Sequence, residues 1–204
     1  MAPSDPEAPR PRRIPAVARD VLLVTLGAVL AVAAEEWRDA RATKRRVDVA
    51  VSSVHAEITD NLARVQRAAV RHKATADSLQ AYVDRHAVPS DRLLFSGVFN
   101  PAHTHATAWQ TARDTRALGD IPYAVALRLG ALYEEQESYA RAGDALDASM
   151  ATRIMTDGVK SAFLDRWTNL IFLNMDFAGR AQNLGERYKR TLAFMDSLNA
   201  PKPK

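Results

Sequence analysis

Hydrophobic positions recur at intervals of three and four along most of this chain, the period of an α-helix packed on one side. From Val47 to Val83 the stripe holds Val47, Val51, Val54, Ile58, Leu62, Val65, Ala69, Ala76, Leu79 and Val83, with His72 in its one remaining position. An extra interval of four, from Ile58 to Leu62, resembles a stutter. Val88-Pro89-Ser90-Asp91 ends this helix, because proline cannot continue it. Leu93 to Pro101 is apolar without a period and reads as a connector over the end of a bundle.

A shorter helix is predicted from about Thr104 to Leu118, with Gly119 as the left-handed residue after its end. Pro122 suits the start of the next long helix, which runs to about Met155. Its stripe is Val125, Leu129, Leu132, Gln136, Tyr139, Gly143, Leu146 and Met150. Gln136 is polar there, and Gly143 is small enough for another helix to approach. A last helix from about Lys160 to Leu198 carries Trp167, Leu170, Asn174, Phe177, Ala181, Leu184, Tyr188 and Thr191 or Leu192. Stripes of this kind predict an all-α fold, an antiparallel bundle of three long helices and one short one.

The N-terminal pattern differs. Val21 to Ala34 is apolar on every side, and Val21, Leu22, Leu23, Val24, Leu26, Val29 and Leu30 are its large residues. Fourteen helical residues rise about 21 Å, short of a hydrocarbon core of about 30 Å. Recruiting Ile14 to Asp20 lengthens the segment, Arg19 can snorkel at one end, and Trp37 suits an interface at the other. The preferred reading is a transmembrane signal anchor over 14–37. It follows a Pro-rich basic tail over 1–13 that cannot bury enough surface to fold. A bundle over 38–198 and a frayed tail over 199–204 complete the chain. Two other readings remain. Ala31-Val32-Ala33 is an A-x-A cleavage site for a signal peptide, which would release a soluble binding protein. An apolar run of this length also suits a buried core helix.

Four arginines precede the segment (Arg10, Arg12, Arg13, Arg19), and Arg38, Arg41, Lys44, Arg45 and Arg46 follow it. The positive-inside bias is therefore near balance. The signal-like layout favours a bacterial inner-membrane protein with its C-terminal domain in the periplasm. Lys44-Arg45-Arg46 can touch anionic lipid, or form an exposed helix face.

Composition narrows the function classes. Glycine is sparse, at 8 of 204 residues, and five of the 10 prolines precede residue 16, so the body has few helix breakers. There are 28 basic and 24 acidic residues, with signs mixed along the body. That mixture disfavours nucleic acid and favours solvated faces. The absence of cysteine removes disulfides and thiolate chemistry.

Candidate chemistry is thin. His103-Thr104-His105 could hold a metal if Asp114 or Asp120 folded in, but a polar helix start explains it better. His72 could respond to pH or sit at the core edge with one hydrogen bond. Gln136 and Asn174 could line a ligand pocket or fix helix register. Trp109 could cap a pocket, and like Trp167 it is expected in the core. No nucleophile is paired with a base, so no enzyme reaction, cofactor or metal is assigned. Membrane lipid, a protein partner and a second copy docked through the helix stripes are the expected partners.

Two stretches carry a resemblance. Leu26-Gly27-x-x-Leu30-Ala31 followed by Glu36-Trp37 and a long charged helix resembles the opening of a family of short bacterial membrane proteins of uncharacterised function. Thr107-Ala108-Trp109-Gln110, Leu118-Gly119 and Leu132-Tyr133 resemble that family's middle region. The likeness spans roughly residues 20 to 140, and this chain departs from it in being rich in Ala and Arg. It implies a membrane segment, an (N/E)-W pair and a helical domain, with no catalytic residue.

Overall fold

The structure, a computed structural model, describes residues 16–86, 99–164 and 167–199. All regular structure among them is helical: α1 (Ala16–Asp84), α2 (Thr107–Asp114), a 3-10 turn (Ala117–Asp120), α3 (Tyr123–Leu164) and α4 (Trp167–Asn199). The chain divides into two units, Met1–Arg45 and Arg46–Lys204.

In the first unit, no helix among the described residues is long and apolar enough to cross a membrane. This overturns the transmembrane helix predicted over 14–37. The apolar run is bounded by Arg19 and Asp20 on one side and Glu35 and Glu36 on the other. Lengthening it brings in charge, and Ile14 and Pro15 lie outside the described residues. Inside the run, Val21, Leu22, Leu23 and Val24 are 60%, 66%, 58% and 74% exposed. Successive helical residues point about 100° apart, so these four sample every side. The buried-core reading therefore fails as well.

In the second unit, the stripes face one another around one core. Val54, Ile58 and Val65 of α1 pack with Leu129, Leu132 and Tyr139 of α3 and with Phe177, Leu184 and Tyr188 of α4. Val65 and Leu62 close on Gly185. Contacts fix the directions. Glu57 meets Tyr133 and Asn61 meets Gln136, so α1 and α3 run parallel. His55 meets Asp196 and His72 meets Asn174, so α4 runs against α1. Returning between α1 and α3 falls to the non-helical stretch Phe99–Ala106 and then α2.

Several boundaries differ from the sequence expectation. The short helix begins at Thr107, because Phe99–Ala106 is non-helical and held by side chains. Arg116 (φ 58°), not Gly119, takes the left-handed conformation after α2. Its amide donates to the Arg113 carbonyl. Within α3 the helix breaks at Gly158 (φ 75°, ψ 159°), a conformation that favours glycine. The predicted end of the first long helix at Val88–Asp91 and most of the connector Leu93–Pro101 lie outside the described residues. So does the Trp167 side chain.

The stutter predicted after Ile58 is absent. Asn61 is completely buried and Leu62 only partly. The core positions are Ile58, Asn61 and Val65, which keep the three-four alternation. A polar residue occupies a core position, and an apolar neighbour at its edge disguised it.

Candidate functional site

Among the described residues, five polar ones are buried in the bundle: Asn61, His72, Gln136, Asn174 and Thr191. A buried amide or imidazole is costly unless its hydrogen bonds are made. The partners show what these groups do.

Asn61 grips the backbone of one residue at two points. Its Nδ2 donates to the His105 carbonyl at 2.7 Å, and its Oδ1 accepts from the His105 amide at 2.8 Å. The same Nδ2 donates to Gln136 Oε1 at 3.1 Å. Gln136 Nε2 also donates to the His105 carbonyl, and Gln136 Oε1 accepts from the Tyr188 hydroxyl at 2.6 Å. Two long helices thereby converge on the His105 carbonyl of the return segment, and the third braces Gln136 through Tyr188.

Other side chains hold the same segment along its length. Arg71 Nη2 donates to the Asn100 carbonyl at 2.7 Å. The Ala102 amide donates to the Tyr139 hydroxyl at 3.0 Å. Pro101 rests on Gly143, where an added Cβ would come within 2.9 Å of the proline ring. The small residue thus admits this segment, where another helix had been expected. Glu57 finishes the clamp. Its carboxylate accepts from the Ala108 and Trp109 amides and from the Tyr133 hydroxyl at 2.6 Å. Those amides open α2 and have no partner inside it, so Glu57 caps that helix from α1. Burial, then the bond to Glu57, pushes the Tyr133 phenol above its ordinary value. Trp109 stacks on Tyr133 with ring centroids 5.0 Å apart.

His72 occupies the far end of this spine and is almost fully buried. Asn174 is oriented by its own Nδ2, which donates to the Leu170 carbonyl. Its Oδ1 must therefore accept, so His72 Nδ1 is the protonated nitrogen at 2.8 Å. Nε2, the unprotonated nitrogen, has no partner among the described residues. Phe99 and Phe177 stand 5.3 and 5.9 Å from the imidazole. Burial, and then the Arg71 charge against the Asn174 bond, hold the His72 pKa below the ordinary 6.5. The sign follows. The folded chain keeps His72 neutral while the unfolded chain takes up a proton, so this contribution to stability is complete above about pH 6.5. It is lost as pH falls from there towards the depressed folded value. Thermal melts should show the native chain losing stability between pH 7.5 and 5, and His72→Leu losing less over that range. Equal losses would remove His72 as the cause.

Of the residues singled out in the sequence, His72, Trp109, Gln136 and Asn174 are buried in the bundle. His72 bonds to Asn174, Gln136 holds the His105 carbonyl, and Trp109 stacks on Tyr133. His103 and His105 lie on the return segment, and no three metal-binding side chains converge among the described residues. His55 Nε2 lies 3.1 Å from Asp196 Oδ1, in a surface groove of about 570 Å³ that Ser52 also lines. Ser52 donates to the Val49 carbonyl of its own helix. Asn61, Glu57 and Arg71 escaped the sequence reading. Asn61 had a signal, its spacing of three from Ile58 and four from Val65. Glu57 and Arg71 look like any charged residue on a helix.

The chain has no match among protein-family models, characterised proteins or solved structures.

Proposed function

We propose that this chain is a helical interaction module brought to a membrane by the apolar segment Val21–Ala34. One observation carries the reading: that segment offers large apolar side chains on every side, and all are exposed. A single partner helix would cover one side, leaving the rest in water. A lipid surface can take up such apolar side chains and remove them from water. The bundle supports the interaction role. Asn61 and Gln136 are occupied in holding the chain's own backbone, which leaves the outer faces of the helices as the surfaces a partner would meet.

A second reading is favoured by Ala31-Val32-Ala33, which would let the segment serve as the apolar core of an export signal. Mass spectrometry of the mature chain separates the two, since cleavage leaves Ala34 as the first residue.

Sedimentation with neutral phosphatidylcholine vesicles tests the first reading. The full chain is expected to pellet with vesicles. Leu22→Lys/Leu26→Lys should weaken binding at least a hundredfold, because one cation in an apolar helix costs about 2.5–3.5 kcal/mol. The melt of the bundle should not move. A full chain that stays in the supernatant with its N-terminus intact overturns the proposal.

A further inference from the structure

On α1, the stretch that follows the apolar segment sorts its charges by side. Taking about 100° per residue, Trp37, Arg38, Arg41, Lys44 and Arg45 fall within an arc of roughly 120°. Glu35, Glu36 and Asp39 occupy the opposite arc, together with Arg46. Asp48, one turn beyond Lys44, ends the basic side. Trp37, Arg38, Arg41 and Arg45 are all exposed. A contact confirms the phase: the Arg41 guanidinium lies over the Trp37 ring at 5.4 Å.

We infer that this face binds the anionic headgroups of a phospholipid bilayer. The inference rests on the membrane reading above and names the lipid class. Three features favour a bilayer over another polyanion. Trp37 is an indole placed within one turn of the apolar segment, where an interfacial aromatic belongs. The arginines follow it on one side of the helix. Glu35, Glu36 and Asp39, which would repel a negative surface, point away. Arg41 stacked on Trp37 keeps its guanidinium beside the ring, so aromatic and cation reach the interface together.

Sedimentation of the full chain with two vesicle types tests this: phosphatidylcholine alone, and phosphatidylcholine with one-third phosphatidylglycerol. Each arginine near an anionic surface is worth about fivefold in partitioning, so three give on the order of a hundredfold. The native chain is expected to prefer anionic vesicles by that factor at low salt, and to lose the preference in 0.5 M salt. Arg38→Gln/Arg41→Gln/Arg45→Gln should bind both vesicle types as the native chain binds neutral ones, with an unchanged melt. Equal native binding to both vesicles overturns the inference and leaves the apolar reading standing. Retention of the anionic preference by the triple variant also overturns it. Binding to neither vesicle overturns both readings. Salt-sensitive binding to duplex DNA without any preference for anionic vesicles assigns the face to nucleic acid and overturns the lipid assignment.

Discussion

Trp109→Ala should lower the stability of the bundle by about 3–5 kcal/mol, the usual cost of deleting a buried large aromatic. In a chain of this size that is roughly a 10 °C fall in melting temperature. Trp109 is 8% exposed and lies flat on Tyr133. Its backbone amide is held by Glu57, so the emptied space cannot close by simple movement of α2. Trp37→Ala is the matched control. That ring is 64% exposed, and its loss should leave the melt within about 0.5 kcal/mol of the native chain. Calorimetry on the two variants settles the contrast. An unchanged melt for Trp109→Ala would show that the stacked pair is not part of the cooperative core.

Asn61→Leu should destabilise by about 2–4 kcal/mol although it places a similar volume in the core. The lost amide strands the His105 N–H, which has no other partner among the described residues, at about 1–3 kcal/mol. Leucine also brings a branched apolar group against Gln136 Oε1. The His105 carbonyl still accepts from Gln136 Nε2, so the segment loosens without being released. Limited proteolysis should then cut within Phe99–Ala106 faster than in the native chain. Adding Gln136→Leu should cost less than the sum of the two single changes, because both side chains grip the same carbonyl. Strict additivity would count against a shared network.

The helical reading came from spacing, and it reached most of the core. Ile58, Leu129, Leu132, Phe177, Leu184 and Tyr188 are all deeply buried where the stripes placed them. His72, Gln136 and Asn174 were placed on the stripes too, but their partners were invisible. His72 and Asn174 meet across the bundle, and Gln136 meets Asn61, Tyr188 and the His105 carbonyl, all far away along the chain. Glu57 illustrates the limit best: its spacing says surface, and its role is to cap a helix that starts fifty residues later. The Gly143 error has the same origin. A small residue signals a close approach without saying whether helix or extended chain arrives.

The sequence by itself determined the helices and their buried sides, because a three-four alternation of apolar residues can be hidden from water only that way. It also determined the exposed apolar run near the N-terminus, whose limits are set by charged neighbours. Tertiary structure decided how the bundle is held together. Only with α1, α3 and α4 assembled do Asn61, Gln136, Tyr139 and Glu57 meet the backbone of Phe99–Trp109, and the buried polar groups find partners there that no local pattern encodes. The apolar segment changed most. Recruiting flanking residues predicts a span over 14–37, and no described helix is long and apolar enough to cross a membrane. The segment's large side chains are exposed on every side, and Trp37 and three arginines follow it on one face, which is the surface chemistry on which the proposed lipid contact rests.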